Sequence, residues 1–313
     1  MKRALIAIGG NALCDPEKEL SIKEQFAKSR STATILAELV ASGWQLVLTH
    51  GNGPQVGVKM RARSMLGIEL GSVPLGLCGA ETEGEMGYML QQTMGNALRD
   101  AGLNTKIISV VTQVLVEHED PAFSEPTKPI GMYLEEEDAK ALTQKHGWAM
   151  KKYANDLWRR CVASPAPKHI VELLSIGELV DAGVIPIMAG GGGVPVVQKN
   201  GHYEGVAAVI DKDLTSALAA SELGLECLVI VTGVPAVQKD FGTPQAQSLH
   251  QIGVAELQAL AQDGEFGVGT MAPKIKAAIE FLEKGGQEVL ITDIENLGAA
   301  MRRDEQTGTW IRA

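Results

Sequence analysis

The sequence predicts an α/β fold built around a largely parallel sheet. Short apolar runs alternate along the chain with segments of helical periodicity, which is the pattern of β-strands joined by crossover helices. Glycine accounts for 35 of the 313 residues and aromatic residues for only 4%, a balance that favours many tight strand-to-helix turns. Hydrophobic residues at 45% and charged residues at 21% are typical of a globular protein with a large core.

The first half of the chain alternates strands with helices. Ala4–Ile8 is a continuous apolar run, as expected of a strand that is covered on both faces. Apolar residues recur at helical spacing over Ile22–Ser42, and Gly43 suits the position just past a helix end. The next predicted elements are a strand at Gln45–Thr49, a helix at Thr82–Ala101 that ends at Gly102, and a strand at Lys106–Val111.

The stretch from about residue 118 to 168 interrupts this alternation. It is rich in proline, carries the acidic run Glu135–Asp138, and is far longer than a simple crossover. We therefore expect an inserted subdomain, in which the acidic run forms the solvated first turn of a helix. The alternation then resumes with helix Val171–Ala182, strand Val184–Ala189, a helix from near Asp213, strand Cys227–Thr232, helix Ala272–Lys284, strand Glu288–Thr292 and a strand near Thr309–Arg312.

The overall charge and the cysteine spacing exclude several classes of function. Lys and Arg number 28 against 38 Asp and Glu, which gives a net charge of −10 and leaves no broad basic surface for nucleic acid or an anionic membrane. No run approaches the ~18–20 apolar residues of a membrane span, and the first apolar run is too short for a signal peptide. The four cysteines match neither a CxxC site nor a disulfide framework and predict reduced, buried thiols in a cytoplasmic protein: Cys14, Cys78, Cys161 and Cys227.

Three glycine clusters follow predicted strands. In an open parallel sheet, ligands bind beyond the carboxyl ends of the strands, where backbone N–H groups of glycine turns can approach an anion closely. A tight turn explains any one cluster, but three at equivalent places favour a phosphate-binding floor, and none is a P-loop or a dinucleotide fingerprint. The clusters are Gly9-Gly10-Asn11, Gly51-Asn52-Gly53 and Gly190 to Gly193.

Three lysines in compact motifs are candidates for neutralising phosphoryl charge. For any single lysine, a solvated surface charge is the plainer explanation. The three are Lys128 in the proline-braced segment 126–131, Lys212 between Asp211 and Asp213, and Lys274 directly after Pro273 at the start of a predicted helix.

Two further sets of side chains have simpler explanations. Asp213 is explained as the N-cap of a helix at Leu214–Leu223, although a carboxylate there could also orient a lysine. The six histidines show no metal-ligand spacing, so we expect no protein metal site. His50 adjoins a glycine loop, and we expect it to be a hydrogen-bonded structural histidine.

These motifs resemble the carbamate kinase family of the amino acid kinase superfamily, in the family's order and over nearly the whole chain. The resemblance implies a three-layer αβα sandwich with a small protruding subdomain, and a homodimer. It implies reversible phosphoryl transfer between ATP and carbamate with Mg²⁺, which in catabolism runs from carbamoyl phosphate and ADP to ATP. The matching segments are Ala7–Ala12, Thr49–Gly57, Val111–Val114, Pro126–Gly131, Arg159-Arg160 with Ser164-Pro165, Ala189–Pro195, Val209–Asp213 and Met271-x-Pro273-Lys274.

The resemblance also implies roles for regions and residues. Residues 1–205 form the phosphoryl-acceptor lobe with the insert at about 118–168, and residues 206–313 form the nucleotide lobe. The implied catalytic residues are Lys128, Lys212, Asp213 and Lys274. Those implied to bind the substrate are Gly9, Gly10, Asn11, Gly51, Asn52 and Gly53. Those implied to bind the nucleotide are Lys212, Thr232, Gly233, Val234, Met271, Pro273 and Lys274.

Four segments depart from the family pattern. Gly233, Pro235 and Gln238 stand where two carboxylates and an aromatic ring are frequent, which predicts weaker nucleotide recognition. Two alternatives to a carbamate kinase therefore stay open: a kinase of the same fold that acts on another small acid, and a catalytically weak protein that binds carbamoyl phosphate or serves as a scaffold. The other departures are Asn155-Asp156-Leu157, Ala166 and Glu83.

Overall fold

The computed structural model describes residues 2–13, 21–65, 75–153, 156–266 and 271–313, so Cys14 and Asn155 lie outside the described residues. The strands are β1 (Lys2–Ile8), β2 (Trp44–His50), β3 (Ile107–Ser109), β4 (Gln113–Val116), β5 (Lys128–Leu134), β6 (Ala149–Lys152), β7 (Trp158–Val162), β8 (Pro167–Ile170), β9 (Ile185–Ile187), β10 (Val194–Lys199), β11 (His202–Gly205), β12 (Cys227–Val231), β13 (Val237–Lys239), β14 (Gln247–Leu249), β15 (Gln251–Gly253), β16 (Glu288–Thr292) and β17 (Thr309–Arg312). The helices are α1 (Ile22–Ala41), α2 (Gly53–Met65), α3 (Leu75–Asp100), α4 (Glu136–His146), α5 (Leu173–Asp181), α6 (Lys212–Glu222), α7 (Val254–Gln262), α8 (Ala272–Glu283) and α9 (Ile294–Met301).

The central sheet has eight strands in the order β15-β17-β16-β12-β1-β2-β9-β3. All of its neighbouring pairs are parallel except β16 and β17. Every residue of β2 is buried, because helices cover both faces of the sheet. The predicted α/β fold with a largely parallel sheet is confirmed.

Alternate side chains of β1 enter two separate cores, one on each face of the sheet. Leu5 and Ala7 pack in the core that α5, α6 and α8 cover. Ile6 and Ile8 pack in the core that α1, α3 and α9 cover. This arrangement is the expected αβα sandwich.

A second sheet and a small antiparallel subdomain lie outside the central sheet. The second sheet has the order β11-β10-β4-β8, and the subdomain sheet has the order β5-β7-β6. The subdomain strands and α4 come from the part of the chain where an insert is predicted. Helix α4 begins at Glu136, with Glu135 as its N-cap and three acidic residues in its first turn, as predicted.

Several elements differ from the prediction. Helix α3 begins at Leu75 instead of Thr82. Helix α2 begins at Gly53, directly after a glycine loop that gave no helical signal. Helices α7 and α9 and the strands of the second sheet were also missing from the prediction.

Candidate active site

The first two glycine clusters lie side by side beyond the carboxyl ends of β1 and β2. The backbone N–H of Gly51 donates to the carbonyl of Ile8 at 3.0 Å, and a Cβ on Gly51 would lie 3.3 Å from the nitrogen of Gly10. A Cβ on Gly9 would lie 2.5 Å from the carbonyl oxygen of Val231, at the end of the neighbouring strand β12. The two turns and the end of β12 therefore share one edge of the sheet.

The third cluster follows β9, which pairs with β2, and its glycines are needed for close packing. Residues 191–193 have φ values of +67°, +102° and +84°, which only glycine adopts readily. A Cβ on Gly190 would lie 2.4 Å from the His50 ring, and one on Gly191 would lie 2.0 Å from the Asn52 amide. This turn therefore packs directly against the second glycine cluster.

Helix α3 holds the side chain of Asn52 from the opposite side. Asn52 is buried, and its Nδ2 donates to Oγ1 of Thr82 at 2.8 Å. The hydroxyl of Thr82 in turn donates to the carbonyl of Gly79. The Asn52 amide is thus fixed at the site, whereas the side chain of Asn11 lies outside the described part of the structure.

Lys212, Asp213 and Lys274, which the family resemblance implies are catalytic, form a buried Lys-Asp-Lys cluster. Asp213 accepts a hydrogen bond from Nζ of Lys212 on Oδ1 at 2.5 Å and from Nζ of Lys274 on Oδ2 at 2.8 Å. Burial by itself would raise the pKa of Asp213, but the charges of the two lysines and their hydrogen bonds outweigh burial and lower the pKa to about 2. The cluster therefore holds two ammonium groups around one carboxylate.

The structure corrects the N-cap prediction and brings Lys128 to the same place. Asp211, not Asp213, caps α6, because its Oδ1 accepts the backbone N–H of Asp213 at 2.9 Å. Asp213 lies in the first turn of the helix. The other oxygen of Asp211 accepts a hydrogen bond from Nζ of Lys128 at 2.7 Å. Strand β5 of the subdomain thus delivers Lys128 to the start of α6.

His50 and Glu83 are both buried beside the third glycine cluster. Burial lowers the pKa of His50 to about 4 and the charge of Lys212 adds to this, although the hydrogen bond to the carbonyl of Gly51 opposes it. His50 is therefore a neutral, hydrogen-bonded histidine, as predicted.

Glu83 differs from Asp213 in that neither of its oxygens bonds to a lysine within the described residues. Its Oε2 accepts the backbone N–H of Thr112 at 2.8 Å, and its Oε1 has no hydrogen-bond partner in the described part of the chain. Burial raises the pKa of Glu83 well above its usual range, against the effect of the Thr112 hydrogen bond, and the charge of Glu172 raises it further.

A cavity of about 610 Å³ opens beyond the carboxyl end of β12 and extends to the first glycine cluster and Lys274. Its volume lies in the range of small-molecule sites. Pro273 and Lys212 are not among its lining residues, whereas the other predicted nucleotide-binding residues are. The lining residues are Gly9, Gly10, Val231, Thr232, Gly233, Val234, Ala236, Gln238, Phe241, Glu265, Phe266, Met271 and Lys274.

The cavity residues that sequence reasoning missed include Phe241, Glu265 and Phe266. Phe241 lies between β13 and β14, and its side chain is 71% exposed, which is unusual for a phenylalanine. Glu265 and Phe266 come from the turn after α7. These three residues supply the aromatic surface and the carboxylate that residues 232–238 lack. Nothing in the local sequence around them predicts a place in the site.

Among the described residues, no group of three or more His, Cys, Asp or Glu side chains is arranged to hold a metal ion. No described helix is long and apolar enough to cross a membrane.

Comparisons with known proteins agree with the geometry. The model of the amino acid kinase family matches residues 2–293. A carbamate kinase of Pyrococcus horikoshii is 40% identical over 99% of both chains, and the carbamate kinase-like protein YahI of Escherichia coli is 44% identical over 98% of both chains. Among solved structures, the carbamate kinase from Giardia lamblia bound to AMP-PNP aligns with a TM-score of 0.92 at 35% identity, over 99% of this chain and 98% of that one.

Proposed function

The chain belongs to the amino acid kinase family, among the carbamate kinases, and on that premise we propose that it transfers a phosphoryl group between ATP and carbamate. Residues 1–205 hold the carbamate side in this proposal, residues 206–313 hold the nucleotide, and the insert at about 118–168 covers the site. The full-length similarity to carbamate kinases supports this assignment.

The observation that carries the proposal is the buried Lys-Asp-Lys cluster at the mouth of the cavity. Lys274 belongs to both, because it donates to Asp213 and lines the cavity. A phosphoryl group in transfer spreads negative charge over its oxygens, and fixed cations stabilise that charge best when they need no rearrangement. Asp213 holds the two ammonium groups in position without cancelling both charges.

The chemistry requires no protein nucleophile. An oxygen of the β-phosphate of ADP attacks the phosphorus of carbamoyl phosphate, the bond from phosphorus to the carbamate oxygen breaks, and carbamate leaves. The attacking oxygen is already anionic, so positioning and charge stabilisation are sufficient. We assign the positioning of the transferred group to the first two glycine clusters with Asn11 and Asn52, and to Lys128 above them.

Mg²⁺ fits this site as part of the nucleotide complex. Both oxygens of Asp213 accept hydrogen bonds from lysines, and both oxygens of Asp211 accept hydrogen bonds as well. Because each of these oxygens already accepts a hydrogen bond, we assign Mg²⁺ to the nucleotide phosphates and not to a carboxylate. Mg²⁺ bound to the nucleotide phosphates would neutralise part of their charge, and the three lysines act on the rest.

We also propose that the reaction runs toward ATP, that the protein is cytoplasmic and that it forms a homodimer. Carbamoyl phosphate is a mixed anhydride that readily gives up its phosphoryl group, which favours ATP formation. The unpaired, buried thiols of Cys78, Cys161 and Cys227 support a cytoplasmic location. The edge strand β3 carries the exposed side chain of Ile108, a site at which two copies could pair as a homodimer.

The test is ATP formation by the purified protein from carbamoyl phosphate and MgADP. We expect ATP only when both substrates are present. If the folded protein makes none but releases ADP from ATP with acetylglutamate or aspartate, the acceptor is a different small acid. If ADP binds in a calorimeter and no acceptor gives turnover, the protein is a binding protein and the proposal fails.

A further inference from the structure

Glu265 is the only acidic residue among the described residues that line the cavity beyond β12. The side chain is half-buried. Its neighbour in the chain, Phe266, also lines the cavity. The cavity therefore combines a cation, Lys274, with a carboxylate next to aromatic surface.

The Glu265 carboxylate is held in place by its surroundings. The backbone N–H of Asp240 donates a hydrogen bond to its Oε1, and Asp240 directly precedes Phe241. The backbone N–H of Glu265 donates to the carbonyl of Leu260 in α7 at 3.1 Å. Its second oxygen accepts no hydrogen bond within the described residues. This oxygen remains available to a donor on a bound molecule.

The chemistry of a nucleotide decides which part of it this carboxylate can contact. Phosphate oxygens and a carboxylate repel each other, so Glu265 cannot serve the phosphate end, where Lys274 and the glycine turns lie. The ribose offers two neighbouring hydroxyl donors, and an acidic side chain is the usual acceptor for such hydroxyls in nucleotide sites. The side chains of Gly233, Val234 and Pro235 provide no acceptor.

We propose that Glu265 accepts a hydrogen bond from the ribose hydroxyls and makes the site selective for ribonucleotides over deoxyribonucleotides. This inference rests on the proposed nucleotide-dependent function. A hydrogen bond to a charged group in a partly buried site changes affinity by about tenfold or more when its partner is removed.

The experiment is calorimetric titration of the full chain with the Mg²⁺ complexes of ADP, 2′-deoxy-ADP and 3′-deoxy-ADP. We expect the wild type to bind ADP about tenfold more tightly than at least one deoxy analogue. In Glu265→Gln, the affinity for ADP should fall by about tenfold, and the ratio of the affinities for ADP and the deoxy analogue should fall to about one. The glutamine keeps an oxygen for the N–H of Asp240, so the turn retains its anchor.

Phe241→Leu is the matched control from the same cavity. This variant removes aromatic surface, so the affinities for all three nucleotides should fall by a similar factor, while the preference for ADP over the deoxy analogues persists. Equal affinity of the wild type for the three nucleotides would overturn the inference without any variant. An unchanged preference in Glu265→Gln would overturn it as well. If the wild type binds no nucleotide, the proposed function itself fails, which is a distinct result.

Discussion

Asp213 and Glu83 are acids buried near the same edge of the sheet, on helices that cover opposite faces. The two residues are 4% and 2% exposed, yet the pKa of Asp213 is lowered to about 2 and that of Glu83 is raised well above its usual range. Each oxygen of Asp213 faces an ammonium group, whereas Glu83 has one backbone N–H and the like charge of Glu172 nearby. The cations at its oxygens, and not burial, set Asp213 apart from Glu83, and on this difference we propose a role in phosphoryl transfer for Asp213 alone.

The largest effect should follow removal of a cation from the Asp213 side. Lys212→Ala and Lys274→Ala should each lower kcat by ~10²–10³, because each removes a preorganised charge from the transferred group. Steady-state ATP formation measures the loss. Thermal unfolding should show that both variants still fold cooperatively.

A control for Lys274 lies on the same helix. Lys276 is exposed and lies 3.8 Å from Glu280, so Lys276→Ala should leave kcat unchanged within about twofold. Comparable losses in the two α8 variants would show that the position of the charge does not matter and would contradict the assignment of Lys274.

The second test exchanges the carboxylate of the cluster for an amide. Asp213→Asn should lower kcat by about 10- to 100-fold, because the amide presents an NH2 donor to one of the two ammonium groups and leaves their charges uncompensated. The same assay measures it. Full activity in Asp213→Asn would mean that the lysines hold their positions without the acid.

The third test concerns Lys128, which reaches Asp211 at the start of α6 from the subdomain. Carbamoyl phosphate should slow amide hydrogen exchange in residues 118–168 by about tenfold, the effect of about 1.4 kcal/mol of ligand stabilisation. Mass spectrometry with and without carbamoyl phosphate measures this. Equal exchange in both states would contradict closure of the subdomain on the substrate.

The smallest effect should come from replacing the carboxylate of Glu83 with an amide, as in the Asp213→Asn variant. The pKa of Glu83 is raised in the folded state. The contribution of Glu83 to the free energy of unfolding is therefore greatest below its unfolded pKa of about 4.3, and it is lost as the pH rises toward the folded pKa. Glu83→Gln removes this loss, so its free energy of unfolding should rise relative to that of the wild type between pH 5 and pH 8.

Denaturant unfolding at the two pH values measures the difference, and kcat should stay within about twofold of the wild type. A large loss of activity in Glu83→Gln would place a charged Glu83 in the reaction and remove the contrast with Asp213.

Local sequence patterns predicted much of the fold and several of the residues that the structure brings together at the candidate site. The apolar run of Ala4–Ile8 and the glycines after it were sufficient to identify a buried strand and its turn. Compact motifs likewise identified Lys128, Lys212 and Lys274. Each of these features depends on a few consecutive residues, so their pattern is visible without tertiary contacts.

Features with an ambiguous local pattern, and features that depend on distant contacts, were missed or misplaced. Gly53 and Pro54 begin a helix, but glycine and proline together resemble a turn in sequence. The N-cap of α6 was assigned two residues too late, because Asp211 and Asp213 flank Lys212 and both suit a cap. Glu265 lines the cavity from a turn that is joined to Asp240 by a hydrogen bond, and no local sequence pattern predicts that contact.

In the proposed reaction, a substrate anion would compete with the Asp211 carboxylate for the ammonium group of Lys128. A phosphoryl oxygen that approaches Lys128 meets an ammonium group already neutralised by a carboxylate, and it must displace that carboxylate or share the ammonium with it. Asp211 does not lose all its bonds in the exchange, since its other oxygen still holds the backbone N–H of Asp213 at the start of α6. In this proposal Lys128 changes its anionic partner from Asp211 to the substrate in each turnover, while Asp211 keeps the hydrogen bond that caps α6.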